Sequence, residues 1–175
     1  MDDPARDEYW MRLALRQAQE AAEEDEVPVG AVIVRAGQLV AKAHNQVERL
    51  KDATAHAEMI ALTQAAAAVG DWRLTDAVLY VTKEPCAMCA GAIVLSRVAR
   101  VAWGVTDPQR GGAVSLFRIF DQSDLNHRVA HTAGVLEAEC RDLLQRFFRE
   151  RRQEGGGEDR WNRPAPDVQR PSSTG

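Results

Sequence analysis

Ala77-Val78-Leu79-Tyr80-Val81-Thr82-Lys83-Glu84-Pro85-Cys86-Ala87-Met88-Cys89 is the stretch whose reading decides the fold. Its first six residues are apolar, aromatic or β-branched, the composition of a strand. Pro85 then opens a helix over 86–95, in the first-turn position that proline tolerates best. Another apolar run, 98–104, reads as the next strand. A strand running into a helix and then into a strand points to an α/β layered domain around one central sheet.

The same alternation extends outward. A helix over 7–24 is marked by Trp10, Leu13, Ala14, Ala18 and Ala21 at helical spacing, and runs into the acidic Glu23-Glu24-Asp25-Glu26. The nearly all-apolar Val27-Pro28-Val29-Gly30-Ala31-Val32-Ile33-Val34 follows, as expected of a strand buried on both faces. Ala36-Gly37-Gln38 turns it into a second strand over 39–43, completing a hairpin. Residues 45–53 are polar and loop-like. A helix over 54–69 ends at Gly70, the residue suited to a helix C-cap. Beyond the central unit the pattern predicts a loop over 107–112, a short helix over 115–120, a fifth strand within 126–131 and a last helix over 134–152. From Gln153 the chain is rich in Gly, Pro and Ser, with little to bury, and reads as a disordered tail. The expected organisation is one domain over 1–152 and a tail over 153–175.

Composition narrows the class. At 175 residues the chain can bury a full core without disulfides. Of its three cysteines two form a CxxC, which favours a reducing compartment with thiols kept for metal. Cys140, among Leu136, Leu143 and Leu144, reads as a buried inert thiol. No run is long and apolar enough for a membrane span, and the N-terminal residues lack the apolar core of a signal peptide. The expectation is a cytoplasmic protein. The net charge of −4 means that any nucleic-acid contact must use a local basic patch.

The chemistry rests on His56-Ala57-Glu58 and Cys86-Ala87-Met88-Cys89. One imidazole and two thiolates are three soft ligands for zinc, leaving a fourth position open for water. Bound zinc makes water a nucleophile near neutral pH, and Glu58 is free to move its protons. Both motifs fall where a helix begins, and His56 and Glu58, two apart, are expected to turn to different partners. A structural zinc knuckle is the plainer alternative for a CxxC with a distant histidine. It requires a fourth protein ligand, for which His44 is the best candidate among His44, His127, His131 and Cys140.

HxE with PCxxC is already known as the pattern of zinc nucleobase deaminases. Val27-Pro28-Val29-Gly30-Ala31-Val32, Thr54-Ala55-His56-Ala57-Glu58, Glu84-Pro85-Cys86-Ala87-Met88-Cys89-Ala90-Gly91-Ala92 and Phe147-Phe148-Arg149-Glu150-Arg151-Arg152 resemble segments of the bacterial tRNA-specific adenosine deaminases. The resemblance runs from about Tyr9 to Arg152. It implies a three-layer α/β/α cytidine-deaminase-like fold with a five-stranded mixed sheet, the last two strands parallel. It implies a homodimer with one zinc ion per subunit, acting on the wobble adenosine of a tRNA anticodon stem-loop to give inosine and ammonia.

By position, the resemblance makes His56, Cys86 and Cys89 the zinc ligands and Glu58 the catalytic acid/base. Glu58 takes the proton of the attacking water, passes it to ring N1 and protonates the departing amine. Asn45 bonds the flipped base or its ribose, the Ala57 N–H reads the base edge, and Val29 packs on it. Asp107, Asn126 and His127 contact flanking nucleotides. On residue type alone Asn45 could equally cap a turn, and Asp107 before Pro108 is a good turn starter. Arg149, Arg151 and Arg152 form a basic helix end read as an RNA-backbone contact, although arginines there also suit the helix dipole. Lys83 stands where the family commonly has an apolar residue, His44 where it can have tryptophan, and Gly111-Gly112 loosens the loop after Asp107. Two rivals stay open: a deaminase of a free base or nucleoside, such as guanine or cytidine, and a non-catalytic zinc-stabilised RNA-binding module.

Overall fold

The computed structural model describes residues 3–154. Five helices, α1 (Pro4–Glu23), α2 (Val47–Leu50), α3 (Ala57–Val69), α4 (Ala87–Leu95) and α5 (Glu137–Glu154), accompany five strands, β1 (Gly30–Arg35), β2 (Gln38–His44), β3 (Ala77–Lys83), β4 (Arg100–Val105) and β5 (Ala130–Thr132). The strand order is β2-β1-β3-β4-β5. β1 is antiparallel to β2 and β3, whereas β3, β4 and β5 run parallel. This is the expected mixed sheet.

The strands are apolar throughout because both faces are covered. Along β1, β3 and β4, Ala31, Ile33, Leu79, Val81, Val101 and Trp103 pack with Ala57, Ala61, Ala90 and Ile93 of α3 and α4. The alternate residues Val32, Val34, Tyr80 and Ala102 pack with Trp10, Met11 and Ala14 of α1 and Cys140 and Leu144 of α5. The period-two alternation thus feeds two cores, one per face, and produces three layers. Cys140 is buried as expected, with its thiol over Gly104 of β4, where a Cβ would collide with it.

Several boundaries differ from the sequence reading. α1 starts earlier, because the Asp3 side chain accepts from the N–H groups of Ala5 and Arg6 and Pro4 fits the first turn. Val27–Val29 precedes the strand rather than opening it. The polar 45–53 segment holds α2, whose first N–H groups are taken up by a buried carboxylate described below. Pro85 lies outside α4, since Cys86 is its N-cap. The helix expected over 115–120 is a set of turns followed by a 3-10 turn at Ile119–Asp121, and β5 begins beyond Asn126. α5 begins after Leu136 and continues to Glu154, so the first residues of the expected tail are helical. Residues 155–175 lie outside the described residues.

Candidate metal centre and active site

α4 begins just past the carboxyl end of β3, the place where open α/β sheets commonly bind ligands. His56 and Cys86 are the N-caps of α3 and α4, both with extended backbone, and neither side chain makes a capping hydrogen bond. They turn toward each other instead. Cys86 Sγ lies 3.6 Å and Cys89 Sγ 3.5 Å from His56 Nδ1, and the three donor atoms fall within 4.8 Å of one another. A tetrahedral zinc ion with ordinary Zn–N and Zn–S bonds sets nitrogen and sulfur about 3.5 Å apart, so donor set and spacing both fit. The positive ends of two helices favour thiolates here.

A hydrogen bond from Cys89 holds the Cys86 thiol down to about 4 against its burial, with His56 adding to the effect. The same bond, burial and the neighbouring Glu58 push Cys89 up. The Cys86 bond also raises His56, against its burial. Glu58 is 3% exposed and is not one of the clustered donors. Burial lifts its carboxyl above the usual range, opposed by its own N–H and by His56. A carboxyl beside a soft donor cluster, with its pKa raised, is suited to taking up and returning a proton.

Among the described residues no fourth ligand joins the cluster. His44, the candidate for closing the site, lies 3.2 Å from Glu24 and 3.9 Å from Glu20. His131 stacks on Trp103. With three protein donors, a bound zinc ion would keep a fourth position for water, as a closed structural site does not.

A cavity of about 230 Å³ opens on the cluster, lined among others by Val29, Asn45, His56, Glu58 and Lys83. The expectations for individual contacts divide. Val29 and Asn45 line the cavity. Ala57 departs from its expected part: its N–H donates to Asn45 Oδ1 at 2.9 Å, and the residue is fully buried. Asp107 lies along the adjoining groove, paired with Lys83. Asn126 and His127 are not brought to the cavity. Asn126 accepts from Arg97 at 2.6 Å and His127 Nε2 lies 2.7 Å from the Val98 carbonyl, so Nε2 carries the hydrogen. Both partners follow the C-terminal end of α4, whereas Cys86 stands at its beginning.

The basic helix end also divides. Arg149 and Arg152 line a groove of about 600 Å³ beside the cavity, together with Lys83 and Arg110. Arg151 turns the other way, pairing with Asp25 and lying over the Phe147 ring, and so clasps α5 to the end of α1.

Two buried carboxylates that shape the site escaped the sequence reading. Glu26, the last residue of the acidic run after the first helix, is 1% exposed and accepts the N–H groups of Glu48 and Arg49, fixing α2 at the cavity wall. Glu84 accepts from Asp107 N, Val114 N, Ser115 N and Ser115 Oγ at 2.6–3.0 Å. It ties the 107–115 loop to the residue before Pro85. Gly112 completes the join: it lies so close to the Cys86–Ala87 backbone that a Cβ would collide with it. The one available signal was Glu84 beside the CxxC; its partners are 23–31 residues away.

Comparison with known proteins agrees with this geometry. Residues 4–105 match the model of the cytidine and deoxycytidylate deaminase zinc-binding region. The chain is 47% identical over 146 residues to the tRNA-specific adenosine deaminase of Bacillus subtilis (strain 168), covering 83% of this chain and 91% of that protein. It is 49% identical over 145 residues to that of Aquifex aeolicus (strain VF5), covering 83% and 95%. A solved structure from work on A-to-I editing by tRNA:A34 deaminases superposes with a TM-score of 0.75 at 43% identity, over 78% of this chain and 99% of that one. The guanine deaminase of Nitrosomonas europaea, at 22% identity and a TM-score of 0.69, over 80% of this chain and 83% of its own, shares the fold. The chain belongs to the cytidine and deoxycytidylate deaminase zinc-binding family, and within it to the tRNA-specific adenosine deaminases.

Proposed function

We propose that this chain is a zinc-dependent hydrolase that deaminates the wobble adenosine of a tRNA anticodon loop to inosine and ammonia. The observation that carries the reading is the three-donor cluster of His56, Cys86 and Cys89 with buried Glu58 beside it, at the floor of a base-sized cavity, in a chain 43–49% identical to such enzymes.

His56 Nδ1 and the two thiolates would hold the ion, one per subunit, which when bound would supply the Lewis acidity that makes water nucleophilic near neutral pH. Glu58 takes one proton from the water that adds at C6 and passes it to N1, then takes the proton of the new C6 hydroxyl and passes it to the amine, so that C6=O forms as the C6–N bond breaks and ammonia leaves. Asn45 is held by the Ala57 N–H and offers its NH₂ to the base or ribose. Val29 packs against the base. Anticodon-loop bases are already splayed and cost little to flip into such a cavity. Arg149 and Arg152 contact RNA phosphates from the groove, with Asp107 beside them.

The active form is a homodimer. Trp72, Leu95, Leu116 and Phe117, each more than half exposed, offer apolar surface to a second copy. Asn126 and His127 act on flanking nucleotides from a second copy, since neither reaches the cavity of its own chain. Among the described residues no helix is long and apolar enough to cross a membrane. Free thiols at Cys86, Cys89 and Cys140 support a cytoplasmic location.

The test is a deamination assay on zinc-loaded protein with a tRNA bearing adenosine at the wobble position, and with free adenosine, cytidine and guanine. Inosine in the tRNA alone is expected. Turnover confined to a free base or nucleoside keeps the chemistry and overturns the substrate, and no turnover at all favours the structural zinc module.

A further inference from the structure

The cavity above the metal cluster and the larger groove beside it meet at a common wall made of Val27, Lys83 and Arg110. Lys83 is the last residue of β3, and its side chain is 29% exposed. Its ammonium pairs with Asp107 Oδ2. Asp107 cannot follow a moving lysine. Its Oδ1 accepts from the N–H groups of Gln109 and Arg110, at 3.0 and 3.1 Å, and its own N–H is held by Glu84 at 2.9 Å. The carboxylate is therefore a fixed post, and the lysine is tethered to it.

Such a partly exposed pair contributes little to stability. Asp107 does not need the lysine for its turn, which its bonds to Gln109 and Arg110 already shape. What the pair does is place a cation on the ridge between two cavities. An ammonium has three donors and Asp107 takes one, which leaves two for another acceptor. Beyond the ridge, Arg149 and Arg152 continue the positive lining, in a chain whose overall charge is −4.

We propose that Lys83 is a substrate-binding residue that holds the phosphate joining the nucleotide in the cavity to its neighbour in the groove. This rests on the RNA reading above and specifies the path of the strand: base over the metal cluster, first phosphate on Lys83, following phosphates toward Arg149 and Arg152. Asp107 positions the ammonium for that contact.

The test compares full-length, zinc-loaded wild type with Lys83→Met and Lys83→Arg. Binding of a labelled anticodon stem-loop RNA is measured between about 50 and 200 mM salt, alongside KM and kcat on the same RNA. Lys83→Met is expected to weaken binding several-fold and to reduce the slope of log K against log salt by about 0.7–0.9, one phosphate contact. The loss falls on KM more than on kcat, and Lys83→Arg restores most of the slope. An unchanged slope in Lys83→Met, with wild-type RNA binding intact, overturns the Lys83 assignment alone. So does a fall in kcat with unchanged binding, which makes the lysine an electrostatic neighbour of Glu58. Failure of the wild type to bind the stem-loop overturns the RNA reading, and this assignment with it. Equal zinc content and thermal midpoints across the three proteins show that the readout concerns binding.

Discussion

Asp7 and Glu58 are carboxylates of nearly equal burial, 4% and 3% exposed, on helices that cover opposite faces of the sheet. Asp7 is saturated. It accepts from Tyr80 Oη at 2.9 Å and from both terminal nitrogens of Arg100 at 2.9 and 2.5 Å, and Arg100 reaches on to Thr132 at 2.7 Å. Burial alone would raise its carboxyl, but Arg100 and Tyr80 outweigh it and hold the group below its ordinary value. Among the described residues no cation stands in hydrogen-bond contact with Glu58, and burial raises it. The saturated carboxylate joins α1 to three strands and holds a shape; the undersupplied one retains the capacity to exchange a proton.

The sharpest way to break this contrast is to neutralise each group in turn. Glu58→Gln is expected to lower kcat by roughly 10²–10⁴-fold while zinc content and thermal midpoint stay near wild type. Turnover close to wild type would remove Glu58 from the chemistry. Asp7→Asn should behave in the opposite sense, losing about 1.5–3 kcal/mol of stability because it weakens the charge-assisted bonds that Asp7 accepts from Arg100. Its kcat/KM per folded molecule should be unchanged, as denaturant titration combined with active-site counting would show.

The same residue carries a pH signature. Because the native pKa of Asp7 lies below its ordinary 3.8, the unfolded chain binds the proton more readily. Its contribution to stability is complete above about 3.8 and is lost as pH falls through the lower native value. Urea midpoints measured down that window should fall more steeply for wild type than for Asp7→Asn; parallel curves would contradict the assignment.

Glu84 lies between the two extremes, since it is saturated yet next to the His56, Cys86 and Cys89 donors. Glu84→Gln puts an amide where three N–H groups and a hydroxyl now converge, and should raise KM by roughly tenfold through the 107–115 loop while zinc is retained. A loss confined to stability would class it with Asp7. The smallest effect concerns α5. Replacing Arg149 and Arg152 by alanine should lower the salt slope of RNA binding by about 1.4–1.8, and Arg151→Ala should leave the slope unchanged. Equal effects from all three would show that the clasp to Asp25 opens when RNA binds.

What the sequence made legible was whatever local pattern determines. The apolar runs of β1, β3 and β4 and the Gly70 end of α3 stand in the structure within a few residues of where periodicity puts them. The HxE and PCxxC motifs were readable because each lies within one turn of its own helix. Illegible were features set by distant partners. α2 is four residues long and forms where Glu26, more than twenty residues earlier, takes its first N–H groups. The short helix expected over 115–120 is not formed, because Glu84 draws Val114 and Ser115 into a turn. Arg151 could not be told from Arg149 and Arg152 by spacing, because the difference lies in which neighbour each finds across the fold.

The placement of His56 and Cys86 at the heads of two helices has a consequence for the life of the chain before it is folded. In the nascent polypeptide these residues are thirty positions apart, and β3 lies between them. An ion that joins them closes a loop whose entropy, by analogy with a covalent crosslink of that span, is worth about 3–4 kcal/mol. Metal capture and the docking of α3 beside α4 are then one cooperative event. Chain synthesised without metal is expected to be cut first by proteases between residues 45 and 115, so that supply of the ion governs how much protein accumulates as well as how fast each molecule turns over.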